Sequence, residues 1–357
     1  MRHSPPVHLD IAPSPREAAA EKSARKAISL VSRLPGPLFE LVVRLSLAKA
    51  RRGRAGSGRD PDAGGESPGS APCPMTRAEF RFDAGHGEYP VRCRWRRDLS
   101  PGRHPLFYFV HGGGFIGGDS LTNLNLLERL AADLDVVCAA VDYHLAPELR
   151  FPGALDECVA GVLGLVAQAA TGRLIDPDRI VLAGDSAGGN LAAGAAVLLK
   201  RRHGITPRAQ ALLYPVTEMA RLDTPSHRSK APENRAMFRF IKVCRKLYAR
   251  DPADYRDPLF SPLATTAADD PDPTPTLLLL AGRDALLDEG LAYARHQREL
   301  GAWVRTVVYD NAHHAFVNNL GDSAVADHAA AEIARLIADP PDRRPAPAAD
   351  GRRPPGP

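Results

Sequence analysis

The chain has 357 residues, 44% of them hydrophobic and 25% charged, so it is long enough for one large α/β domain with a substantial core. Its formal net charge of +4 is uneven: residues 1–77 carry 13 Lys and Arg against 7 Asp and Glu, and residues 340–357 carry 4 against 2, which leaves about −4 for the middle. A nucleic-acid-binding domain concentrates positive charge on its folded part, so we exclude nucleic acid as a partner.

The five cysteines are scattered, odd in number and without C-x-x-C spacing, which argues against a disulfide framework and against a zinc site. We expect free thiols, and neither a metal nor a cofactor. No uncharged apolar stretch reaches the ~18 residues that cross a membrane, and the first 30 residues are charged where a signal peptide needs an apolar segment. The sequence therefore predicts a soluble, cytoplasmic protein.

Residues 1–52 are predicted to start disordered and then to form two helices. The first covers about 15–33, because Ser14-Pro15-Arg16-Glu17 combines an N-cap serine, a first-turn proline and a glutamate three residues after the serine. The second, at 38–47, is amphipathic and is followed by a basic run. We interpret both helices as a cap on the main domain, and the alternative is peripheral contact with a membrane surface.

Residues 76–339 carry the pattern of a folded domain, between a flexible linker at 53–75 and a disordered tail at 340–357. Two alternating segments predict antiparallel strands, and the following alternation of strands and helices is typical of a doubly wound, mostly parallel α/β sheet. Residues 217–272 interrupt the alternation and are interpreted as a lid insertion. The predicted strands are 79–82, 91–95, 106–110, 136–141, 179–183, 209–214, 276–281 and 303–309, and the predicted helices are 120–134, 153–169, 288–300, 323–337 and the segment after Ser186.

The stretch Gly184-Asp185-Ser186-Ala187-Gly188 follows an apolar strand and precedes a helical segment. A Gly-x-Ser-x-Gly sequence in this context predicts a nucleophile elbow, a tight turn that holds its serine in strained backbone geometry. Only small flanking residues allow the strand and the helix to approach so closely. We therefore predict that Ser186 is a nucleophile.

A run of glycines, His111-Gly112-Gly113-Gly114, directly follows another buried strand. Successive glycines carry a cost in backbone entropy. This cost is expected where the backbone itself must approach a ligand closely. We predict that the N–H groups of Gly112 and Gly113, completed by that of Ala187, form an oxyanion hole. The alternative is a loop that only turns or holds a phosphate, but the run lacks the Lys-Ser/Thr ending of a phosphate loop. His111 is expected to have a structural role.

An activated serine needs a base, and the base needs an orienting carboxylate, because a hydroxyl is a poor nucleophile at neutral pH. On this architecture both groups follow later strands, in the order Ser, Asp, His. Asp284 leaves the carboxyl end of a buried strand and is the predicted carboxylate; Asp288 is the alternative, although it is placed to cap the next helix. The base is one of the pair His313 and His314.

With these motifs in this order, the chain resembles the hormone-sensitive lipase family of serine esterases. The resemblance spans about residues 105–317 and rests on His111 to Phe115, Asp142 to Glu148 with Phe151-Pro152, Gly184 to Asn190, Leu213-Tyr214-Pro215, Asp257 to Pro262, Asp284 through Gly290, and His314-Ala315-Phe316. It implies an α/β-hydrolase fold with an N-terminal cap, and hydrolysis of short- to medium-chain acyl esters without metal or cofactor. The implied triad is Ser186, Asp284 and His314, because the histidine of the family directly precedes a small residue and an aromatic one.

The sequence departs from the family at three positions near these motifs. Ala315 stands where the family usually has glycine, Ala285 where it has proline, and His144 where it has arginine. None of these is a predicted triad residue, so activity is expected to survive while loop rigidity and efficiency change.

The sequence thus predicts a serine carboxylesterase or lipase that acts on a small ester through an acyl-enzyme. An amide or N-acyl hydrolase, such as a deacetylase or formamidase, would use the same triad. A non-catalytic small-molecule receptor is a further alternative, which the presence of His314 argues against. The insertion is expected to help line the substrate pocket through one apolar helical face, formed by Phe238, Ile241, Cys244 and Tyr248.

Overall fold

The computed structural model describes residues 5–13, 32–56, 73–172, 174–229 and 231–341. Nearly all of the first predicted N-terminal helix, residues 57–72 of the predicted linker and the predicted tail from residue 342 lie outside this part of the chain. Within the described residues, no helix is both long enough and apolar enough to cross a membrane.

A single nine-stranded sheet organises the chain, with strand order β1-β9-β8-β7-β6-β4-β5-β3-β2. β2 and β3 are antiparallel to each other, and β3 is antiparallel to β5, whereas all other neighbours are parallel. The strands are β1 (Val7–Leu9), β2 (Met75–Asp83), β3 (Glu88–Arg96), β4 (His104–Val110), β5 (Val137–Val141), β6 (Ile175–Asp185), β7 (Ala209–Leu213), β8 (Thr276–Arg283) and β9 (Val304–His313).

Helices cover both faces of this sheet. They are α1 (Gly36–Gly56), α2 (Leu124–Asp133), α3 (Gly153–Gly172), α4 (Ala187–His203), α5 (Pro232–Tyr248), α6 (Leu287–Glu299) and α7 (Ala324–Ala338), with short 3₁₀ helices at Pro252–Arg256, Pro262–Ala264 and Phe316–Asn319. Successive residues of β4 point to opposite faces, as strand geometry requires. Tyr108 belongs to the core that includes Leu155 of α3, and Phe109 belongs to the core that includes Ile333 of α7.

The predicted fold class is confirmed: the sheet is mostly parallel and doubly wound, with helices on both faces. The two predicted antiparallel strands pair as β2 and β3. Residues 217–272 hold no strand within the described positions, so the alternation is interrupted where the sequence analysis placed a lid insertion.

The expectation of a disordered start is wrong for residues 7–9, which form the edge strand β1. This strand pairs in parallel with β9, with Val7 opposite Val307 and Leu9 opposite Tyr309. The His8 ring lies 2.7 Å from the Asp310 carboxylate. A proline-rich composition describes local preference only, whereas here an exposed sheet edge about 300 residues further along the chain supplies the hydrogen-bond partners.

Helix α1 packs against α5 rather than standing apart from the domain. Phe39 of α1 is buried, and the Arg239 guanidinium lies 4.2 Å from the centre of its ring. Glu40 of α1 lies 3.6 Å from the Lys246 ammonium of α5. Three leucines on the other side of α1 remain exposed: Leu38, Leu41 and Leu45.

Candidate active site

The turn between β6 and α4 holds Ser186 in a strained conformation. Its φ is +56° and its ψ is −118°, in a region that costs a residue with a side chain of order 1–3 kcal/mol. The two glycines of the elbow cannot be replaced without displacement, because a Cβ on Gly188 would lie 2.0 Å from the Val110 carbonyl oxygen and one on Gly184 would lie 2.3 Å from that of Gly188. The predicted close approach of strand and helix is therefore present.

The structure brings Ser186, His314 and Asp284 into one hydrogen-bonded chain. His314 Nε2 lies 2.9 Å from Ser186 Oγ, and His314 Nδ1 lies 2.6 Å from Asp284 Oδ2. Asp284 is buried, and its other oxygen accepts a hydrogen bond from the Leu286 N–H at 3.1 Å. This arrangement allows the imidazole to accept the serine proton while the carboxylate orients the ring.

The environment of His314 favours its protonated form. Burial lowers the pKa of this imidazole, but the charge of Asp284, the hydrogen bond to it and the charge of Asp185 outweigh burial, so the pKa lies above the ordinary value of 6.5. The next residue, Ala315, adopts a left-handed conformation with φ +64°, which explains why glycine suits this position.

The two alternatives that the sequence left open lie elsewhere. Asp288 accepts a hydrogen bond from the Ser226 N–H at 2.7 Å, and its carboxylate does not cap α6. His313 ends β9, opposite Arg283 of β8. Neither residue joins the hydrogen-bonded chain at Ser186.

The other departures from the family pattern have local partners. The Nδ1 atom of the His144 ring lies 2.7 Å from the buried Glu157 carboxylate. The backbone N–H of His144 donates a hydrogen bond to the same carboxylate at 2.7 Å. Ala285 is buried, and its carbonyl accepts a hydrogen bond from the Ser226 hydroxyl at 2.7 Å.

The prediction that Gly112 contributes to an oxyanion hole is wrong. Its N–H donates to Asp185 Oδ1 at 2.7 Å, so it points at a buried carboxylate and cannot serve an oxyanion. The approach is close enough to require glycine, because a Cβ on Gly112 would lie 2.5 Å from Asp185 Oδ2. The sequence analysis treated Asp185 only as part of the elbow and did not anticipate this contact.

The N–H groups of the next two residues, Gly113 and Gly114, do not share the contact that Gly112 makes. A trans peptide points its C=O and its N–H in opposite directions. The Gly112 carbonyl is held by His111 Nδ1 at 2.8 Å, and the Gly113 carbonyl accepts the N–H groups of Ile116 at 3.2 Å and Gly117 at 3.0 Å. The N–H groups of Gly113 and Gly114 therefore face away from these contacts, and in the described part of the chain no hydrogen bond engages them or the N–H of Ala187.

A narrow cavity of about 10 Å³ opens beside Ser186 and Gly114. Helix α5 packs against the loop at this cavity, as a Cβ on Gly114 would lie 2.4 Å from Cys244 Sγ. Ile241 and Cys244 line it as the sequence analysis expected. The remaining lining residues are Phe115, Val216, Met219, Met237, Phe240 and Leu286.

The other two predicted lid residues face different neighbours. The Phe238 ring lies 5.3 Å from that of His227, and the Tyr248 ring stacks on Phe115 at 4.1 Å. Met237 and Phe240 take their places in the cavity wall. Helical spacing predicted an apolar face of α5, but its rotation about the helix axis depends on tertiary packing that the spacing does not contain.

The described residues include no group of three or more His, Cys, Asp or Glu side chains placed to hold a metal ion. The five cysteines are free thiols, four of them buried.

Comparisons with known proteins identify the family to which the fold belongs. A family described as having the alpha/beta hydrolase fold matches residues 107–318. The chain is similar to an ethyl acetate hydrolase of Pseudomonas putida, with 38% identity over 58% of this chain and 65% of that protein. It is also similar to the carboxylic ester hydrolase LipN of Mycobacterium tuberculosis, with 35% identity over 65% of this chain and 62% of that protein.

Among solved structures, a hyperthermophilic esterase from the archaeon Pyrobaculum calidifontis superposes with a TM-score of 0.72 at 26% identity, over 92% of this chain and 98% of that one. The matches to the two curated relatives span less than two thirds of the length of those proteins. The matched segment contains the Gly-rich loop, the elbow and the three residues of the hydrogen-bonded chain. The chain belongs to the α/β-hydrolase fold family, with the motifs of its hormone-sensitive lipase-like esterases.

Proposed function

We propose that this protein is a serine carboxylesterase that hydrolyses short- to medium-chain acyl esters through an acyl-enzyme intermediate. The observation that carries the proposal is the chain of short contacts from Ser186 through His314 to Asp284, beside a loop with free backbone N–H groups. The similarity to an ethyl acetate hydrolase and a carboxylic ester hydrolase supports an ester as the substrate. The cavity at Ser186 is lined mainly by apolar side chains, which favours an apolar acyl group over a charged one.

In the acylation step, His314 Nε2 takes the proton of Ser186 as its oxygen attacks the ester carbonyl carbon. Asp284 holds the ring through Nδ1 and stabilises the imidazolium that forms. The carbonyl electrons move to the oxygen, and the tetrahedral intermediate collapses as His314 returns the proton to the leaving alcohol. Water then repeats the sequence on the acyl-enzyme and releases the acid.

The developing oxyanion needs hydrogen-bond donors that are in place before the reaction. We assign this role to the N–H groups of Gly113, Gly114 and Ala187. Gly114 replaces Gly112 in the set predicted from sequence, because it lines the cavity at Ser186 whereas Gly112 donates to Asp185. Loss of one such donor costs about 10²–10³ in turnover by precedent.

The test is the activity of Ser186→Ala and His314→Ala on 4-nitrophenyl acetate and butyrate. Both substitutions should lower kcat by about 10⁴–10⁶, because each removes one member of a unit that acts together. His313→Ala is the matched control and should stay active, since its neighbour makes the contact with Ser186. Full activity of either triad variant would overturn the assignment. Loss of activity in His313→Ala would identify His313, instead of His314, as the general base.

Selectivity between esters and amides belongs to the same test, since a deacetylase or formamidase would use the same groups. The ester proposal predicts that 4-nitrophenyl acetate is turned over far faster than 4-nitroacetanilide. The reverse order would identify an amide hydrolase and leave the triad unchanged.

We further propose that, of residues 1–52, the helical part represented by α1 forms a cap over the site together with the insertion 217–272, and that α1 makes peripheral contact with an anionic membrane surface. Support for the cap comes from Phe39 and Arg239, which join α1 to α5. Support for membrane contact comes from the exposed leucines of α1 and the basic residues that follow them in sequence. The free thiols support a reducing, cytoplasmic location.

A further inference from the structure

Among the described residues, Asp185 is the one buried carboxylate that hydrogen-bonds to the Gly-rich loop, and the catalytic steps above give it no role. Oδ1 of this residue accepts the Gly112 N–H at 2.7 Å and the Asn123 side-chain amide at 3.0 Å. Burial raises the pKa of the Asp185 carboxyl to about 6, so an anion is costly here. A carboxylate kept at such a cost next to Ser186 suggests a functional reason for its geometry.

The Asn123 side chain also serves Asp185 rather than its own helix. Asn123 is the N-cap residue of α2, yet its side chain caps no N–H of that helix. Its amide nitrogen bonds Asp185, and its Oδ1 has no hydrogen-bond partner among the described residues. The side-chain amide of Asn123 therefore donates to the same carboxylate oxygen that accepts the Gly112 N–H.

Three consecutive peptide units of the loop are each fixed by a separate contact. The first has its N–H on Asp185 and its C=O, from His111, on the Tyr143 hydroxyl at 3.0 Å. The second and third are held through the carbonyls of Gly112 and Gly113. Asp185 supplies the only side-chain contact to an N–H in this run among the described residues.

We propose that Asp185 is a positioning residue for the oxyanion hole: its carboxylate fixes the Gly112 peptide so that the N–H groups of Gly113 and Gly114 are aimed at the carbonyl oxygen of the substrate. The inference rests on the proposed esterase function, in which those two groups are the donors. In this role Asp185 acts through the backbone, whereas its charge acts separately on the pKa of His314, so kcat is compared at a pH above the acid limb.

The first test compares Asp185→Ala with Asp185→Asn. Alanine removes the acceptor, so kcat should fall about 10²–10³-fold, as for loss of an oxyanion donor, while KM changes little. Asparagine keeps an oxygen for the Gly112 N–H, and its amide group can donate to Asn123 Oδ1 once that amide turns over. Asp185→Asn should therefore keep kcat within a few-fold of wild type, and a loss as large as that of alanine would overturn the proposal.

The measurement that is specific to a positioning role is the affinity of the protein for an alkyl trifluoromethyl ketone inhibitor. Ser186 Oγ adds to the carbonyl carbon of this inhibitor, its proton passes to His314, and the negative charge stays on the former carbonyl oxygen. Misaimed donors weaken that adduct, so the inhibition constant of Asp185→Ala should rise in proportion to its loss of kcat. Unchanged inhibition and kcat in folded Asp185→Ala protein would overturn the inference.

Gly112→Ala tests the same contact from the loop side, should Asp185→Ala fail to fold. A Cβ at Gly112 would lie 2.5 Å from Asp185 Oδ2, so the peptide must leave the carboxylate, and kcat and inhibitor affinity should fall together as in Asp185→Ala. Unchanged values would overturn the proposal.

The matched control is Glu332→Ala, which removes a buried carboxylate that pairs with Arg305 at the start of β9, far from the loop. It should lower stability and leave kcat and inhibitor affinity per active site unchanged. Ser186→Ala, assayed in parallel, separates the two proposals. If Ser186→Ala is inactive while Asp185→Ala and Gly112→Ala keep the kcat and inhibitor affinity of the wild type, only the positioning inference fails.

Discussion

At the scale of single residues, the protonation of His314 depends on charges from several elements. Asp284 follows β8, Asp185 ends β6 and Glu289 lies on α6, and the negative charge of each raises the pKa of the imidazole against the effect of burial. Because only the neutral ring can accept the serine proton, activity is lost as the pH falls through this pKa. We expect the acid limb of kcat/KM to lie above pH 6.5 in the wild type.

Removal of one of these charges should move the acid limb to lower pH. Asp185→Asn is the informative variant, because it is expected to keep turnover while it removes a negative charge that acts on His314. The measurement is kcat/KM for 4-nitrophenyl acetate, corrected for spontaneous hydrolysis, between pH 5 and 9. Glu332→Gln, which changes a carboxylate remote from the site, should leave the limb in place, and an equal shift in both variants would contradict the electrostatic explanation.

The residues of the triad could be predicted from sequence because each is marked by local context. Ser186 lies within a five-residue motif, and Asp284 and His314 directly follow β8 and β9, whose apolar segments were predicted although the strands extend beyond the predicted ends at 281 and 309. The error at Gly112 has a different origin. Which peptide of a glycine run faces the site is decided by Asp185, 73 residues away, and by the side chain of His111, and neither contact leaves a periodic signal in the sequence.

At the scale of elements, α5 sets the size of the cavity. Phe240 lies against the Gly-rich loop, since a Cβ on Gly114 would lie 2.9 Å from its ring. Phe240→Ala should open space next to Ser186, and the ratio of kcat/KM for 4-nitrophenyl hexanoate to that for acetate should rise about tenfold or more.

Phe238→Ala is the control for this prediction, because it removes the same side chain from the same helix. Phe238 packs on the His227 ring and does not line the cavity, so its loss should leave the chain-length profile unchanged. A similar change of profile in both variants would indicate general loosening of α5 rather than a wider cavity.

Helix α1 carries an apolar stripe that its contacts with α5 leave exposed. Leu38, Leu41 and Leu45 are 43%, 49% and 59% exposed, at the spacing of one helix face. The single acidic residue of the helix, Glu40, is paired with Arg44 at 2.7 Å and with Lys246, so the local surface is basic. We expect the full chain to bind vesicles that contain phosphatidylserine.

The double substitution Leu41→Ser and Leu45→Ser should weaken vesicle binding about tenfold or more, because two large apolar side chains no longer enter the interface. Cosedimentation with the vesicles measures the effect. Val7→Ser, which changes an exposed apolar residue on β1, should bind as the wild type does. Equal binding by the double variant and the wild type would rule out α1 as the contact.

At the scale of the whole molecule, the sheet joins segments from both ends of the chain. The strand alternation predicted its central part, since strands that alternate with helices along the chain are typical of parallel strands joined by helical crossovers. No such rule predicted the edge strand β1. Its three residues pair with β9 across a separation of 300 positions, and the benefit of that pairing lies in the exposed hydrogen-bonding groups of β9.

Because β9 runs directly into the loop of His314, β1 should support the site as well as the sheet. Deletion of residues 1–9 removes the ladder from Val307 to Tyr309 and should lower the free energy of unfolding by about 1–3 kcal/mol, at about 1 kcal/mol for each hydrogen bond lost. Urea denaturation followed by circular dichroism measures this loss. Activity should be lost at a lower urea concentration than secondary structure, because the freed edge precedes His314 by only a few residues. His8→Ala, which removes the half-exposed contact with Asp310 and keeps the ladder, should unfold like the wild type, and an equal effect of both changes would assign the stabilisation to that side chain.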